Sequence, residues 1–483
     1  MISLSLATIA EVLSGRLVGA DKIIDSVTTD SRALAPEQVF LALKGPNFDG
    51  HKFAQQACSQ GASALIVSEQ QALDISQVIV EDTHRALGQL AAYVKQQVAP
   101  KTVAITGSSG KTTVREMVAA VLSRLGKVLV TDGNFNNDIG VPLTLLRLEQ
   151  DHHFAVVELG ANHIGEIAYT TGLTKPDVAL INNIGAAHIE GFGSLCGVAR
   201  AKGEIYQGLA AGGIAIYNQA CSFADKWQQV LADKTVRQFA CDKDFATSDV
   251  DYFSSDAILD DNGCASFRLH TPVGSTFVQL TVPGEHNICN AVAAATICLS
   301  LGASLDDIAL GLSQMSAVKG RLNLHQLGAN TKLIDDSYNA NVASIKAAIK
   351  LLATYPGKRI LALGDMAELG AEARAYHAEI GQFAAEQGIE VLLGFGVLSQ
   401  HTVNAYQGAT SSECGNGQHF YQHADVVNEI ISMLEANSNA FSQTNKQEQQ
   451  VSMLVKGSRS ARMEQVVQGV LDWYSQQSNG EQS

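Results

Sequence analysis

Short apolar runs, each ending in a polar residue or a glycine, recur along this chain, and amphipathic stretches of helical period separate many of them. Runs of this length suit buried parallel strands; a membrane span would need ~20 apolar residues in a row. TVAIT (102–106), KVLV (127–130), FAVVEL (154–159), VALINNI (178–184) and IAIYN (214–218) form one such series. With helices between several of them, they predict a mostly parallel α/β sheet. The pattern turns antiparallel from about 245 to 282, and NICNAVAAATICLSLG reads as a helix. Before this series, VTTDSR (27–32), VFLALKG (39–45) and ALIVSE (64–69) are strand-like, and HKFAQQACSQGA is a helix closing on glycine. After it, KLIDD, RILALGD, VLLGFG and SMLVKG predict a second α/β unit. Three domains follow: 1–82, 83–316 and 317–483. The stretch 437–450 is Asn/Gln-rich and without period, and reads as a disordered surface loop.

Composition narrows the partners. The net charge of −15 disfavours nucleic acid and anionic membrane surfaces, which are held by Lys/Arg contacts. It leaves room for anionic small molecules in a local basic pocket. The eight cysteines form no C-x-x-C pair and read as reduced, cytosolic and mostly core residues. The first residues carry Glu11 and no basic region, so they read as an amphipathic helix and not a signal peptide. A soluble cytoplasmic protein is expected.

The chemistry begins at Thr106-Gly107-Ser108-Ser109-Gly110-Lys111-Thr112-Thr113, between a strand and a helix. Glycines let backbone N–H groups turn inward around phosphates, Lys111 adds a point charge, and Thr112 offers a hydroxyl to Mg²⁺. The spacing G-x-x-x-x-G-K-S/T would need glycine at 105, where Ile105 stands. That points away from an ordinary GTPase or kinase and toward a tighter loop. Ligands of such sheets gather at the strands' carboxyl ends, which draws attention to Glu158 and His188. A strand-end glutamate can equally be a cap, and a lone histidine is commonly structural. Lys202, in AKGEI, would repel a metal unless CO₂ had made it a carbamate; by itself it reads as a surface lysine. Asn287 and Asn290 share a helix face and suit adenine, a metal ligand or simple capping. Arg321 lies in KGRL at the entry to the last domain, and Asp336 and Tyr338 lie in DDSYNAN.

Together these segments resemble the Mur ligases, the ATP-dependent amide-forming enzymes of peptidoglycan precursor synthesis. The shortened loop, Glu158, NIGAAHIEGFGS, AKGEI and GEHNICNA carry the resemblance over nearly the whole chain. GNFNNDIGVPLTLL (133–146), ELGANHIGEI (158–167), DDSYNAN (335–341), LGDMAELG with His377, and VKGSRSARME (455–464) are similar to the branch that adds D-alanyl-D-alanine. The D-Y-A-H and D-N-P-R motifs of the third-residue ligases are missing from the sequence, and a folylpolyglutamate-type synthase is disfavoured by the stretches at 133–142 and 335–341. Val342 stands where proline commonly follows YNAN, a departure that would alter a turn.

The resemblance implies a central P-loop-like ATPase domain between a small sugar-nucleotide domain and a Rossmann-like C-terminal domain. It implies phosphorylation of the terminal carboxylate of a UDP-N-acetylmuramoyl tripeptide by ATP, then attack on the acyl phosphate by D-alanyl-D-alanine. The product feeds cell-wall synthesis, and hence cell shape and division. Lys111, Glu158, His188, Lys202 and Arg321 become catalytic residues. Thr112 and Glu158 would hold one Mg²⁺, and His188 with carbamylated Lys202 a second. Thr106–Thr113, Asn287, Asn290, Arg321, Asp336 and Tyr338 are assigned to ATP, with Asp336 at the ribose and Tyr338 against the base. Ser31, Arg32, Lys44, Gly45, Asp49, His51, Asn134, Asn136 and Asn137 are assigned to the sugar nucleotide, and Lys456, Ser458 and Arg459 to the incoming peptide. A monomer is expected.

Overall fold

The computed structural model describes residues 1–45, 48–186, 189–241, 250–410, 415–439 and 450–480. Its centre is a six-stranded parallel sheet in the order Val128–Val130, Phe154–Glu158, Lys101–Thr106, Val178–Ile181, Ile214–Asn218, Thr235–Phe239. The chain leaves Lys101–Thr106 on one side and returns on the other, so the phosphate loop opens at the point where the winding reverses. Register fixes the neighbours: Ile105 lies beside Glu158 and Leu180, and Thr106 beside Ile181. All five residues of Phe154–Glu158 are buried, which the unbroken apolar run foretold.

The helix Lys111–Leu122 buries Val114, Met117, Val118, Val121 and Leu122, the i, i+3, i+4, i+7 stripe of an amphipathic helix. That stripe shares one core with the helix His286–Ser300 and with the antiparallel sheet of Phe253–Leu259, Cys264–Thr271 and Gly274–Pro283. The helix Thr83–Val98, capped by Asp82, lies where its period predicts; its buried face joins the amino-terminal core to the central one.

The amino-terminal domain is a mixed five-stranded sheet, ordered Arg16–Val18, Ser76–Ile79, Ala64–Val67, Val39–Leu41, Val27–Thr28. VFLALKG is not one strand there: it divides into Val39–Leu41 and a separate hairpin of Lys44–Gly45 with Phe48–Asp49. The C-terminal sheet runs Asn323–Gln326, Thr331–Asp336, Val451–Lys456, Lys358–Gly364, Val391–Phe395, Asn416–Phe420 and is parallel except at its first strand. Both edge strands, Asn323–Gln326 and Asn416–Phe420, are too polar to read as strands from their sequence.

Three expectations change. Helix His423–Asn439 runs through the first residues of the supposed loop 437–450; residues 440–449 lie outside the described residues. Cys241 and Cys289, with Cα atoms 4.9 Å apart, are disulfide-bonded and not reduced, a pairing that a separation of 48 residues hides. Of the described free cysteines only Cys298 is buried. Val342 alters no turn: it begins the helix Val342–Thr354 behind a capping box of Asn341 and Ser344. Among the described residues no helix is long and apolar enough to cross a membrane.

Candidate active site

Gly110 has φ +74°, and a Cβ there would lie 2.6 Å from both Asn182 Nδ2 and Asn290 Oδ1. Only glycine satisfies both the left-handed backbone and that close approach. The loop is anchored from below. Ser109 N donates to Asn183 Oδ1 at 2.9 Å, and Asn182 and Asn183 each donate from Nδ2 to Ser109 O at 3.1 Å. Ser108 Oγ donates to Gly185 O at 3.0 Å. Lys111 folds back and donates to Gly107 O at 2.9 Å, in the cradle where phosphate oxygens would lie.

Asn287 and Asn290 are buried and belong to a chain of amides. Asn182 Nδ2 donates to Asn290 Oδ1 (3.0 Å), Asn290 Nδ2 to Asn287 Oδ1 (2.8 Å), and Asn287 Nδ2 to Pro283 O (2.7 Å). These bonds make them one wall of a cavity of about 380 Å³, which is also lined by Lys111, Thr112, Arg321, Asp336 and Lys456. That size suits a nucleotide-sized ligand.

Glu158 gathers three donors. Thr112 Oγ1 donates to Oε2 at 2.9 Å, Arg115 Nη1 to the same oxygen at 3.4 Å, and Asn136 Nδ2 to Oε1 at 2.9 Å. A hydroxyl and a carboxylate side by side at a helix start form a hard-oxygen donor set of the kind Mg²⁺ takes. Lys202 is 1% exposed, not a surface residue. Burial first, and then repulsion from Lys111, push its pKa well below the usual lysine value, against the pull of Glu158. Burial likewise lowers Lys111, which Glu158 opposes and Arg321 reinforces. The helix Leu195–Gly203 that carries Lys202 is backed by Trp227, whose Nε1 donates to Ala199 O at 2.9 Å. His188 lies outside the described residues.

The third domain reaches this loop directly. Arg321 Nη2 donates to Thr112 Oγ1 at 3.3 Å, and Asn341 Nδ2 to Ser108 O at 3.1 Å. Arg321 Nε is buried without a partner, as is Thr106 Oγ1, two unused polar atoms at the cradle's edge. The Arg321 guanidinium stacks over Tyr338 at 4.4 Å, and that of Arg459 lies 5.9 Å from the same ring. Tyr338 thus supports the arginine from its ring. Lys456 is fully buried and bonds Asp336 Oδ2 at 2.6 Å and Asn339 O at 2.9 Å, lining the same cavity as Lys111 and Asn290. Ser458 is buried too, with Oγ 3.0 Å from Ser460 Oγ, while Arg459 is exposed and bonds Glu464. His377 is buried, accepting from Met366 N at 3.0 Å and bonding Ala373 O at 2.7 Å, so it braces the turn of LGDMAELG.

The amino-terminal candidates stay apart from this cavity. Arg32 is exposed and bonds its neighbour Asp30, whose carboxyl that contact holds down at about 2. Lys44 and Gly45 are exposed on the hairpin, and Ser31 is buried. Asp49 Oδ1 lies 2.7 Å from His51 Nδ1, and His51 Nε2 accepts from Ser68 N at 2.9 Å, so both ring nitrogens are committed to holding this loop. Asn137 caps Gly140 at 2.8 Å, and Asn134 is exposed. Sequence reasoning left Asn182, Asn183, Asn341 and Arg115 without roles. Asn182 and Asn183 had a signal, since they follow the strand Val178–Ile181 at its carboxyl end. Arg115 had only its place on the helix after Lys111.

Three family models match the chain. Residues 23–100 match the Mur ligase family catalytic domain, 105–298 the Mur ligase middle domain, and 320–459 the Mur ligase glutamate ligase domain. The UDP-N-acetylmuramoyl-tripeptide--D-alanyl-D-alanine ligase of Escherichia coli (strain K12) is 48% identical over 473 residues, 97% of this chain and 99% of the relative. The enzyme of that name from Haemophilus influenzae is 43% identical, with 98% and 99% covered. MurF from Acinetobacter baumannii superposes with a TM-score of 0.88 at 36% identity, covering 98% of this chain and 99% of that one. MurF ligase from Thermotoga maritima, solved with ADP, covers 94% and 98% with a TM-score of 0.78; at 24% identity it speaks for the fold alone.

Proposed function

The chain belongs to the Mur ligase family, and from that premise we propose how its own residues join D-alanyl-D-alanine to a UDP-N-acetylmuramoyl tripeptide at the expense of ATP. It is a ligase of peptidoglycan precursor synthesis, and the third-residue and folylpolyglutamate alternatives are not favoured. The observation that carries the chemistry is the convergence of Lys111, Lys202 and Arg321 around the Glu158–Thr112 pair at the sheet's carboxyl end. A tripeptide carboxylate meeting a triphosphate is a meeting of anions, and cations must be in place to lower that barrier.

In this reading the carboxylate oxygen attacks the γ-phosphorus and ADP departs. The amine of D-alanyl-D-alanine then attacks the acyl carbon, and phosphate leaves as the amide forms. Lys111 neutralises the transferring phosphoryl group, and Arg321, held on Tyr338, brings a charge from the third domain as it closes. The amide wall of Asn287 and Asn290 fits the adenine end, and Asp336, oriented by Lys456, the ribose. Ser31, Arg32, Lys44–Gly45, Asp49, His51 and the Asn134–Asn137 loop are assigned to the sugar nucleotide, with His51 fixing the loop. Ser458 and Arg459 are assigned to the incoming dipeptide.

Thr112 and Glu158 would hold one Mg²⁺, and His188 with carbamylated Lys202 is assigned to a second; bound there, the ions would supply positive charge to the phosphates and the carboxylate. Lys202 suits carbamylation because its amine is buried and biased toward the neutral form. The nitrogen adds to CO₂, an N–C bond forms, a proton leaves to solvent, and the side chain becomes an anion. We read the three domains as 1–82, 83–316 and 317–483, and the protein as a cytoplasmic monomer without nucleic-acid or membrane partners. The net charge of −15 supports the last point.

The test is phosphate release with ATP and the UDP-linked tripeptide, with and without D-alanyl-D-alanine, repeated with D-alanine alone. Release that needs the dipeptide is expected; equal release with D-alanine overturns the substrate assignment. Lys202→Ala should lose activity, with partial rescue by excess bicarbonate or a short carboxylic acid. Full activity of that variant in CO₂-free buffer refutes the carbamate.

A further inference from the structure

Arg115 follows Lys111 by one helical turn and is only 3% exposed. A guanidinium so deep must be paired on every side. It pairs with Glu116 through Nε at 2.9 Å and Nη2 at 2.5 Å. Its Nη1 donates in two other directions, to Gly133 O at 3.2 Å and to Glu158 Oε2 at 3.4 Å. The other Glu158 oxygen accepts from Asn136 Nδ2, Asn136 O accepts from Gly160 N at 2.8 Å, and Glu158 N donates to Thr131 Oγ1 at 2.9 Å. The segment 131–137 is thus gripped at three points, and two of them pass through the carboxylate that also touches Thr112 of the phosphate loop.

We propose that Arg115 is a positioning residue that fixes the sugar-nucleotide loop 131–137 against Glu158, so that the substrate and nucleotide sites form as one unit. The inference rests on the reading that this loop binds the sugar nucleotide. A purely structural buried ion pair would change melting behaviour and leave ligand affinities alone. Arg115 as positioned here sets the affinity for the sugar nucleotide even when no nucleotide or metal is present, because Gly133 and Asn136 depend on it.

The experiment is calorimetric titration of the full chain with UDP-linked tripeptide, without ATP or added metal. Arg115→Met should raise Kd about tenfold, the scale of one lost charge-assisted hydrogen bond. Asn136→Ala should also raise it, and the double variant by less than the product of the two, because both act through Glu158. Arg115→Lys keeps the charge but not the fork, and should restore only part of the affinity. A parent-like Kd for Arg115→Met, or a product of independent effects in the double variant, overturns the proposal. If Arg115→Met does not fold, a parent-like Kd for Arg115→Lys overturns it instead. Asn134→Ala and Asn137→Ala separate the two levels. If they leave Kd unchanged, the loop does not bind the substrate; if they weaken it while Arg115→Met does not, only the role of Arg115 falls.

Discussion

At the carboxyl end of the central sheet, Glu158, Asn182, Lys202, Asn287 and Asn290 are each no more than 5% exposed, whereas the Arg32 and Lys44 side chains of the amino-terminal domain are 84% and 57% exposed. Within the first group Asn182, Asn290 and Asn287 form one chain of hydrogen bonds, and Glu158 accepts from Thr112, Arg115 and Asn136. Among the described residues Arg32 pairs with Asp30 and Lys44 with Glu69. Exposed pairs of this kind are screened and contribute little. The contrast suits the chemistry: phosphoryl transfer depends on charges placed in advance, whereas a large sugar nucleotide can organise flexible side chains as it binds.

The sharpest way to break this contrast is Glu158→Ala. Losing one preorganised charge at the reacting phosphate should lower turnover by ~10²–10³-fold. Phosphate-release kinetics check it, and near-parent turnover would make the buried cluster no more important than the exposed one. Gly110→Ala comes next. Its Cβ has no room beside Asn182 and Asn290, so a loss of about 2 kcal/mol is expected with weaker nucleotide binding, read by denaturant midpoint and ADP titration.

Lys202 gives a pH test. Burial holds its amine well below the ordinary lysine value, so between the two values the unfolded chain binds a proton that the folded chain lacks. From this group stability rises with pH across that window and is lowest on its acid side. In CO₂-free buffer, Lys202→Met should flatten the rise, read from urea midpoints at several pH values; an unchanged slope contradicts the buried amine. The smallest effect belongs to Arg32→Ala. Its melting temperature should stay at that of the parent, while the KM for the sugar nucleotide rises. A large drop in melting temperature would show that Arg32 is structural after all.

Much of the fold was legible because its signals are local. Apolar runs such as FAVVEL and the stripe from Val114 to Leu122 report burial within a few residues, and the phosphate loop lies within one strand–turn–helix unit. The polar edge strands Asn323–Gln326 and Asn416–Phe420 carried no such signal, since an edge can be wet. Tyr338 and Lys456 were singled out by residue type, while their partners Arg321 and Asp336 were not paired with them. An aromatic ring or a lysine does not announce whether its face or charge meets the ligand or another side chain.

The sequence alone therefore carried the central strand–helix series, the glycine loop before Lys111, and the chemical types gathered at the strand ends. Each depends on period, spacing or residue type over short distances. Tertiary structure decided which of those groups touch. Arg321 meets Thr112 across 209 residues, Asn341 meets Ser108 across 233, and Asn290 meets Asn182 across 108. Such contacts follow from packing within and between domains, where a buried polar group must find a partner wherever the fold brings one, and no local pattern records that choice.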